Sequence, residues 1–103
     1  MVTLSVLLSV YDSETSSSLN ESLKSIWSDQ IHRPDEIILV EDGPLKSSLQ
    51  HVIKEWKDTL GEKLRIVINE QNLGLTKSLN KGLRVATGDY IARMDSDDIS
   101  APE

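Results

Sequence analysis

Three aspartates occupy four consecutive positions shortly after the last apolar run of the chain: Asp95, Asp97 and Asp98. Like charges this close repel one another, so the cluster favours a bound cation that offsets the repulsion. Asp95 and Asp97, two positions apart, can share a hard divalent cation such as Mg²⁺ or Mn²⁺. Such an ion on a diphosphate stabilises charge on a departing phosphate. The alternative for the triplet alone is an exposed acidic turn.

A second group of polar residues follows two other apolar runs. Tyr11 comes directly after residues 4–10, and Asp42 and Gly43 come shortly after residues 37–40. A carboxylate can accept a hydrogen bond from the N–H of a nucleotide base while a tyrosine ring stacks on that base. A plain turn at Asp42 and a cover over the edge of the core at Tyr11 are the alternatives.

A third group precedes and opens the last helical segment. Gly74 suits a close backbone approach or an unusual dihedral angle. Asn72 is a candidate cap for that helix. Lys77 lies in its first turn, within reach of a phosphate, although an exposed helical lysine is the ordinary interpretation.

These residues are positioned by a regular alternation of elements. Four short apolar runs read as strands: residues 4–10, 37–40, 64–68 and 90–94, of which the first, second and last read as buried. The segments between them carry apolar residues at helical spacing. The first has a capping box at Ser18 and Glu21, although residues 15–18 are all candidate caps, and the third has core leucines at 75, 79 and 83. The pattern βαβαβαβ predicts an α/β fold, with a Rossmann-like parallel sheet of order 3-2-1-4 and helices on both faces.

That strand order brings the first two groups together. Strands 2 and 4 both flank strand 1, and ligands of such sheets bind beyond the carboxyl ends, at the point where the order reverses. Residues 11–12, 41–43 and 95–98 follow those ends. The convergence, more than any single motif, predicts a site for a phosphorylated ligand.

Composition limits the alternatives. The 103 residues suffice for one domain, and the formal net charge of -6 argues against a surface that coats nucleic acid. No cysteine is present, which excludes a disulfide scaffold. No apolar stretch approaches the roughly 20 residues of a membrane span, so the default location is cytoplasmic. Residues 100–103 read as the start of a helix, and we expect residues 1–103 to be a single partial domain, truncated after the aspartate cluster.

Several enzyme classes lack their motifs here. The sequence contains no G-x-x-x-x-G-K-[ST] loop, no G-x-G-x-x-G fingerprint and no G-x-S-x-G elbow. A sugar-nucleotide pyrophosphorylase would open with a loop rich in glycine and containing arginine, and residues 11–17 contain neither. A receiver-like phosphoacceptor module would need its aspartate after the third strand, where this chain has Asn69.

Four segments in order resemble family 2 glycosyltransferases of GT-A fold. They are residues 5–12, residues 37–43 ending in Glu41-Asp42-Gly43, residues 72–74 with 79–82, and residues 87–98. The match runs from about Leu4 to the last residue. It is most similar to bacterial exopolysaccharide and lipopolysaccharide sugar transferases.

The resemblance implies a nucleotide-sugar donor, commonly a UDP-sugar, bound with Mn²⁺ or Mg²⁺. By motif position, Tyr11 would pack on the base and Asp42 would accept its N–H. Asp95 would hold the ribose or a metal-bound water, and Asp97 would ligate the metal. The reaction would be inverting transfer to a hydroxyl of a saccharide or lipid-linked saccharide, with a carboxylate base activating the acceptor.

The chain departs from the family pattern at several positions: Glu41, Pro44, Asp12 and Leu79 stand where Asp, Ser, Asn and Arg are commoner. In the family, the catalytic base and the acceptor-binding half lie downstream of the metal motif. We therefore expect these residues alone to have little or no transferase activity. For the full-length protein we expect peripheral association with the inner face of the membrane.

Overall fold

The structure, a computed structural model, describes residues 3–28 and 33–95. Strands and helices alternate along the chain. The elements are β1 Leu4–Val10, α1 Ser16–Ile26, β2 Glu36–Glu41, α2 Ser47–Leu60, a 3₁₀ turn Gly61–Lys63, β3 Leu64–Ile68, α3 Leu75–Val85 and β4 Tyr90–Asp95. Four strands and three helices therefore occur where the sequence predicts them.

The four strands form one parallel sheet in the order β3-β2-β1-β4. In register, Leu7 of β1 lies opposite Ile38 of β2 on one side and Arg93 of β4 on the other. The central strands β1 and β2 are almost entirely buried, because their apolar runs have helices on both faces. The predicted strand order is confirmed.

Two apolar cores lie on opposite faces of the sheet, since successive side chains of a strand point to opposite sides. Helices α1 and α2 cover one face, with Leu8, Leu39 and Leu49 among the fully buried residues. Helix α3 covers the other, where Leu7 and Leu79 meet. Helices on both faces are thus confirmed. None of the helices within the described residues is long and apolar enough to cross a bilayer.

Helix α3 approaches the sheet closely because small residues face it. Ser78 and Gly82 are buried. A β-carbon on Gly82 would lie 2.1 Å from Cδ1 of Leu7 and 3.0 Å from Cγ2 of Val40. The side of α3 that contacts the sheet is therefore centred on residues 78 and 82.

Two sequence-based expectations about packing are wrong. Leu75 and Leu83 are about half exposed, because the small residues of α3 face the sheet and the two leucines lie at the margin. Strand β4 is not buried: Tyr90 is 64% exposed, because β4 is the edge strand of the described sheet. Helix α1 is capped by Thr15, one of the four candidate caps at residues 15–18. The backbone of Thr15 is extended, and its Oγ1 accepts from the amide of Ser18 at 3.2 Å.

A buried glutamate holds the amino ends of the strands together. The carboxylate of Glu36, at the start of β2, accepts from Ser5 Oγ at 2.6 Å and from the Thr87 amide and hydroxyl at 2.7 and 2.9 Å. Burial by itself raises the pKa of Glu36. These hydrogen bonds and nearby Arg65 act in the opposite direction and outweigh burial, so the pKa of Glu36 lies below its usual value. The turn between α3 and β4 is thereby fixed to β1 and β2.

Because Gly82 lies so close to the sheet, a larger side chain at this position should disturb the packing. We expect Gly82→Ala to lower the free energy of unfolding by about 1–2 kcal/mol. Overpacking against the fully buried Leu7 outweighs the gain in helix propensity. Urea denaturation measures the change. The control, Asn80→Ala, replaces an exposed residue of the same helix and should not destabilise. Equal stabilisation by both variants would contradict the tight contact.

Candidate functional site

A cavity of about 430 Å³ opens at the carboxyl edge of the sheet. It lies beyond the ends of β1 and β2, beside the point between β1 and β4 where the strand order reverses. Its walls come from the segment after each strand and from the loop before α3. The lining residues are Ser9, Tyr11, Glu14, Asp42, Asn72, Gly74 and Leu75. Four of the residues selected from the sequence, Tyr11, Asp42, Asn72 and Gly74, are therefore brought together.

The carboxylate of Asp42 joins the two sides of this cavity. The Asp42 amide donates to the Val10 carbonyl at 2.7 Å, which continues the pairing of β1 and β2 past the end of β2. Its Oδ1 accepts from the Leu73 amide at 2.7 Å, and its Oδ2 accepts from the Gly74 amide at 3.1 Å. One side chain thus fixes the backbone of the loop before α3.

These contacts favour the ionised form of Asp42. Burial by itself raises the pKa of this carboxyl, which is only 5% exposed. The hydrogen bonds from the Leu73 amide, the Asn69 and Ser78 side chains and the Gly74 amide act in the opposite direction. Together they hold its pKa below the ordinary value. The cavity therefore contains a fixed negative charge.

Two glycines allow the loops to meet. A β-carbon on Gly43 would lie 2.9 Å from the backbone nitrogen of Asn72, so only glycine fits this contact. Gly74 has a φ of 91° and begins α3 as its N-cap residue. Asn72 does not cap the helix, contrary to one expectation, because its side-chain amide donates to the Asp42 carbonyl at 3.4 Å.

Asp42 contacts a polar cluster, Asn69, Ser78 and Lys81, that was not predicted from the sequence as part of a site. Asn69 is 1% exposed, and its Nδ2 donates to Asp42 Oδ1 at 3.3 Å and to Ser78 Oγ at 3.0 Å. Its Oδ1 accepts from Lys81 Nζ at 2.9 Å. The position of Asn69 directly after β3 was a usable signal, since the same logic selected Asp42 after β2. Ser78 and Lys81 gave no comparable signal, because their contact with Asn69 depends on how α3 packs.

The loop after β1 is fixed by Asp12. Its Oδ1 accepts from the Lys46 amide at 2.6 Å, at the start of α2. Neighbouring Tyr11 is about half exposed and lines the cavity. An exposed ring beside an ionised carboxylate can hold a flat heterocycle that carries an N–H donor.

The other three residues selected from the sequence are Asp95, Asp97 and Lys77. Asp95 ends β4 and pairs in register with Ser9, so its backbone stands beside the cavity. Asp97 lies outside the described residues. Lys77 is exposed in the first turn of α3 and is not among the residues lining the cavity. Within residues 3–28 and 33–95, no group of three acidic, histidine or cysteine side chains could hold a metal ion.

The family model described as "Glycosyl transferase family 2" matches residues 5–103. The amylovoran biosynthesis glycosyltransferase AmsE of Erwinia amylovora is 46% identical over 96% of this chain and 36% of its own length. A UDP-Gal:alpha-D-GlcNAc-diphosphoundecaprenol beta-1,3-galactosyltransferase of Escherichia coli is 38% identical over 93% of this chain and 34% of its own. The chain thus spans about a third of the length of these curated relatives.

Solved structures share the fold. TarS 1-349 of S. aureus, in complex with UDP-GlcNAc, superposes with a TM-score of 0.78 at 27% identity, over 94% of this chain and 27% of that one. The mannosyltransferase PcManGT of Pyrobaculum calidifontis, in complex with GDP-Man and Mn²⁺, gives a TM-score of 0.79 at 22% identity, over 95% and 28%. The second likeness concerns the fold alone. The expected GT-A architecture is confirmed.

The contacts of Asp42 predict a loss of stability when one oxygen is replaced. We expect Asp42→Asn to lower the free energy of unfolding at neutral pH by about 1–3 kcal/mol, because an amide nitrogen would face a backbone N–H donor. Chemical denaturation measures this change. Asp58→Asn, at an exposed position of α2, is the matched control and should have little effect.

The same variant predicts a change in pH dependence. The pKa of Asp42 in the folded protein is below its ordinary value of 3.8. The contribution of the ionised Asp42 carboxylate to the free energy of unfolding is therefore fully present above pH 3.8. It is lost as the pH falls from there through the folded pKa. Between about pH 5 and pH 2, Asp42→Asn should therefore lose less stability than the unsubstituted protein. An unchanged profile would show that Asp42 is not held by these bonds.

Proposed function

This chain belongs to glycosyl transferase family 2, and we propose that it forms the donor-binding part of an enzyme that transfers a sugar from a nucleotide-sugar. The donor we propose is a UDP-sugar bound with Mn²⁺ or Mg²⁺. The acceptor is a hydroxyl of a saccharide or lipid-linked saccharide in cell-surface polysaccharide synthesis. Two relatives support this choice: the name of one includes amylovoran biosynthesis, and the name of the other includes UDP-Gal.

The cavity at the switch point carries the proposal. It lies where ligands of open parallel sheets bind, and it combines an aromatic ring, an ionised carboxylate and a glycine loop. TarS, which shares the fold at 27% identity, is described in complex with UDP-GlcNAc. A nucleoside diphosphate sugar is the ligand class that these features support best.

Each residue of the cavity has a proposed role. The Tyr11 ring packs on the base, and Asp42 accepts the N–H of the base. The oxygen proposed to accept from the base is Oδ2 of Asp42, which also accepts from the Gly74 amide. Asn72 and Gly74 form the wall of the cavity that contacts the donor. Lys77 lies outside the cavity lining, and we propose that its long, exposed side chain extends to the phosphates of the donor.

A divalent metal would be held by the aspartates after β4. Carboxylate oxygens are the ligands that Mg²⁺ and Mn²⁺ prefer, and the donor set of Asp95 and Asp97 fits such an ion in its chemistry. Asp95 would hold the ribose or a metal-bound water, and Asp97 would ligate the metal. The ion would supply positive charge that stabilises the nucleoside diphosphate as it leaves the sugar.

The proposed transfer inverts the anomeric centre. An acceptor hydroxyl, deprotonated by a carboxylate base, attacks the sugar carbon, and the nucleoside diphosphate leaves with the electron pair of the broken bond. The base belongs to a part of the protein that follows the aspartate cluster in the family. We therefore propose that residues 1–103 are one partial domain, which by itself has little or no activity. We further propose a cytoplasmic protein that associates peripherally with the inner face of the membrane.

An NMR titration with UDP and Mg²⁺ tests the donor site directly. We expect metal-dependent chemical-shift changes at Tyr11, Asp42 and Asp95. Asp97→Asn should weaken UDP binding about tenfold or more, because it removes a charged ligand of the ion. Asp58→Asn, which removes the same charge from an exposed position of α2, should bind UDP as the unsubstituted protein does.

Three outcomes of this titration would contradict different parts of the proposal. A folded protein that shows no response to millimolar UDP with metal would contradict the donor site within these residues. Binding that is independent of metal, or equal in Asp97→Asn, would contradict the metal role while leaving the nucleotide site. A response to acetyl phosphate in place of UDP would favour a phosphoacceptor module instead.

A further inference from the structure

We propose that Lys81 is a positioning residue of the cavity. It acts through the Asn69 amide on the Asp42 carboxylate, and through that carboxylate on the loop of residues 72–74. Its effect on donor binding rests on the proposed function, whereas its effect on the loop does not.

Lys81, Asn69 and Asp42 differ in the hydrogen bonds that they can donate and accept. A lysine ammonium can only donate hydrogen bonds, and an ionised carboxylate can only accept them. The Asn69 amide lies between the two, with its Oδ1 2.9 Å from Lys81 Nζ and its Nδ2 3.3 Å from Asp42 Oδ1. These partners are satisfied in only one orientation of the amide, with its oxygen toward Lys81 and its nitrogen toward Asp42.

Lys81 is the partner that fixes this orientation from outside the cavity. Ser78, which also hydrogen-bonds Asp42, lies 3.0 Å from Asn69 Nδ2, so Ser78 and Asp42 hold the nitrogen end of the amide, whereas Lys81 holds its oxygen end. Without the ammonium, Asn69 Oδ1 loses this donor, and the amide shifts from its place beside Asp42 Oδ1 to regain one. Asn69 is 1% exposed, so an acceptor left without its donor there is costly.

The consequence reaches the loop because the Asp42 carboxylate also holds the loop backbone. Its Oδ1 accepts from both the Asn69 side chain and the Leu73 amide, and its Oδ2 accepts from the Gly74 amide. A carboxylate that moves away from Asn69 lengthens both backbone hydrogen bonds. The wall formed by Asn72 and Gly74 then shifts with them.

Lys81 does not act on the cavity directly. It lines a separate cavity of about 620 Å³, together with Ile68, Glu70, Gln71 and Leu73. The residues that line the first cavity do not include Lys81. Any effect of Lys81 on a ligand in the first cavity is therefore indirect, which defines it as a positioning residue.

The first experiment follows the amide proton resonances of Leu73 and Gly74 by NMR, without any ligand. In Lys81→Met, both should move upfield as their hydrogen bonds to Asp42 lengthen. Lys81→Arg, which keeps a donor and the charge, should restore them. Arg84→Met, at an exposed position of α3, removes the same charge and should leave both resonances unchanged. Unchanged resonances in Lys81→Met, or equal changes in Arg84→Met, would overturn the proposal.

The second experiment measures the dissociation constant of UDP with Mg²⁺ by calorimetry. We expect Lys81→Met to weaken binding about three- to tenfold, the range for one hydrogen bond, and Lys81→Arg to recover most of it. Equal affinity in Lys81→Met would overturn the link to donor binding. If the unsubstituted protein binds no UDP, the proposed function fails, and the amide resonances still decide the role of Lys81.

A measurement on the unsubstituted protein covers the case in which Lys81→Met does not fold. Nuclear Overhauser contacts from the Asn69 side-chain amide protons report its orientation. They should reach the Ser78 Hβ protons and not the Lys81 Hε protons. The reverse pattern would mean that the amide is oriented the other way, which would overturn the proposal.

Discussion

Two buried carboxylates at opposite ends of β2 hold α3 in place across the sheet. Glu36, at the start of the strand, accepts from the Thr87 amide just after α3. Asp42, just past its end, accepts from the Leu73 and Gly74 amides just before α3. Gly82 lets the middle of the helix lie against Leu7 and Val40. The cavity depends on this arrangement, because one of its walls is the segment that Asp42 holds.

The arrangement costs free energy that hydrogen bonds must offset. A buried ionised carboxylate is unfavourable unless its oxygens are hydrogen-bonded, and the pKa values of Glu36 and Asp42 both lie below the ordinary values. At each site, backbone amides and neutral side chains supply most of the donors. The benefit at the carboxyl edge is a fixed negative charge beside Tyr11 that needs no rearrangement to accept a donor group.

Much of the fold follows from local sequence pattern. The strand order β3-β2-β1-β4 and the convergence of Tyr11 and Asp42 were predicted, because apolar runs separated by amphipathic segments allow few topologies. The half-exposed Leu83 was not predicted. Its helical spacing is that of a core residue, and only the close approach at Gly82 turns it toward the margin.

The sequence by itself determined the family, the layered α/β architecture and the edge of the sheet at which the polar residues meet. These depend on residue types and spacing along the chain, and four motifs in order carry them. Only the tertiary structure decided that Asp42 holds the loop of residues 72–74 and that Asn69 joins it to Lys81. Those contacts join residues that are 12 to 32 positions apart, and α3 must pack on the sheet before they can form. No local periodicity encodes such a contact, since it depends on the distance between two elements and not on the pattern within either.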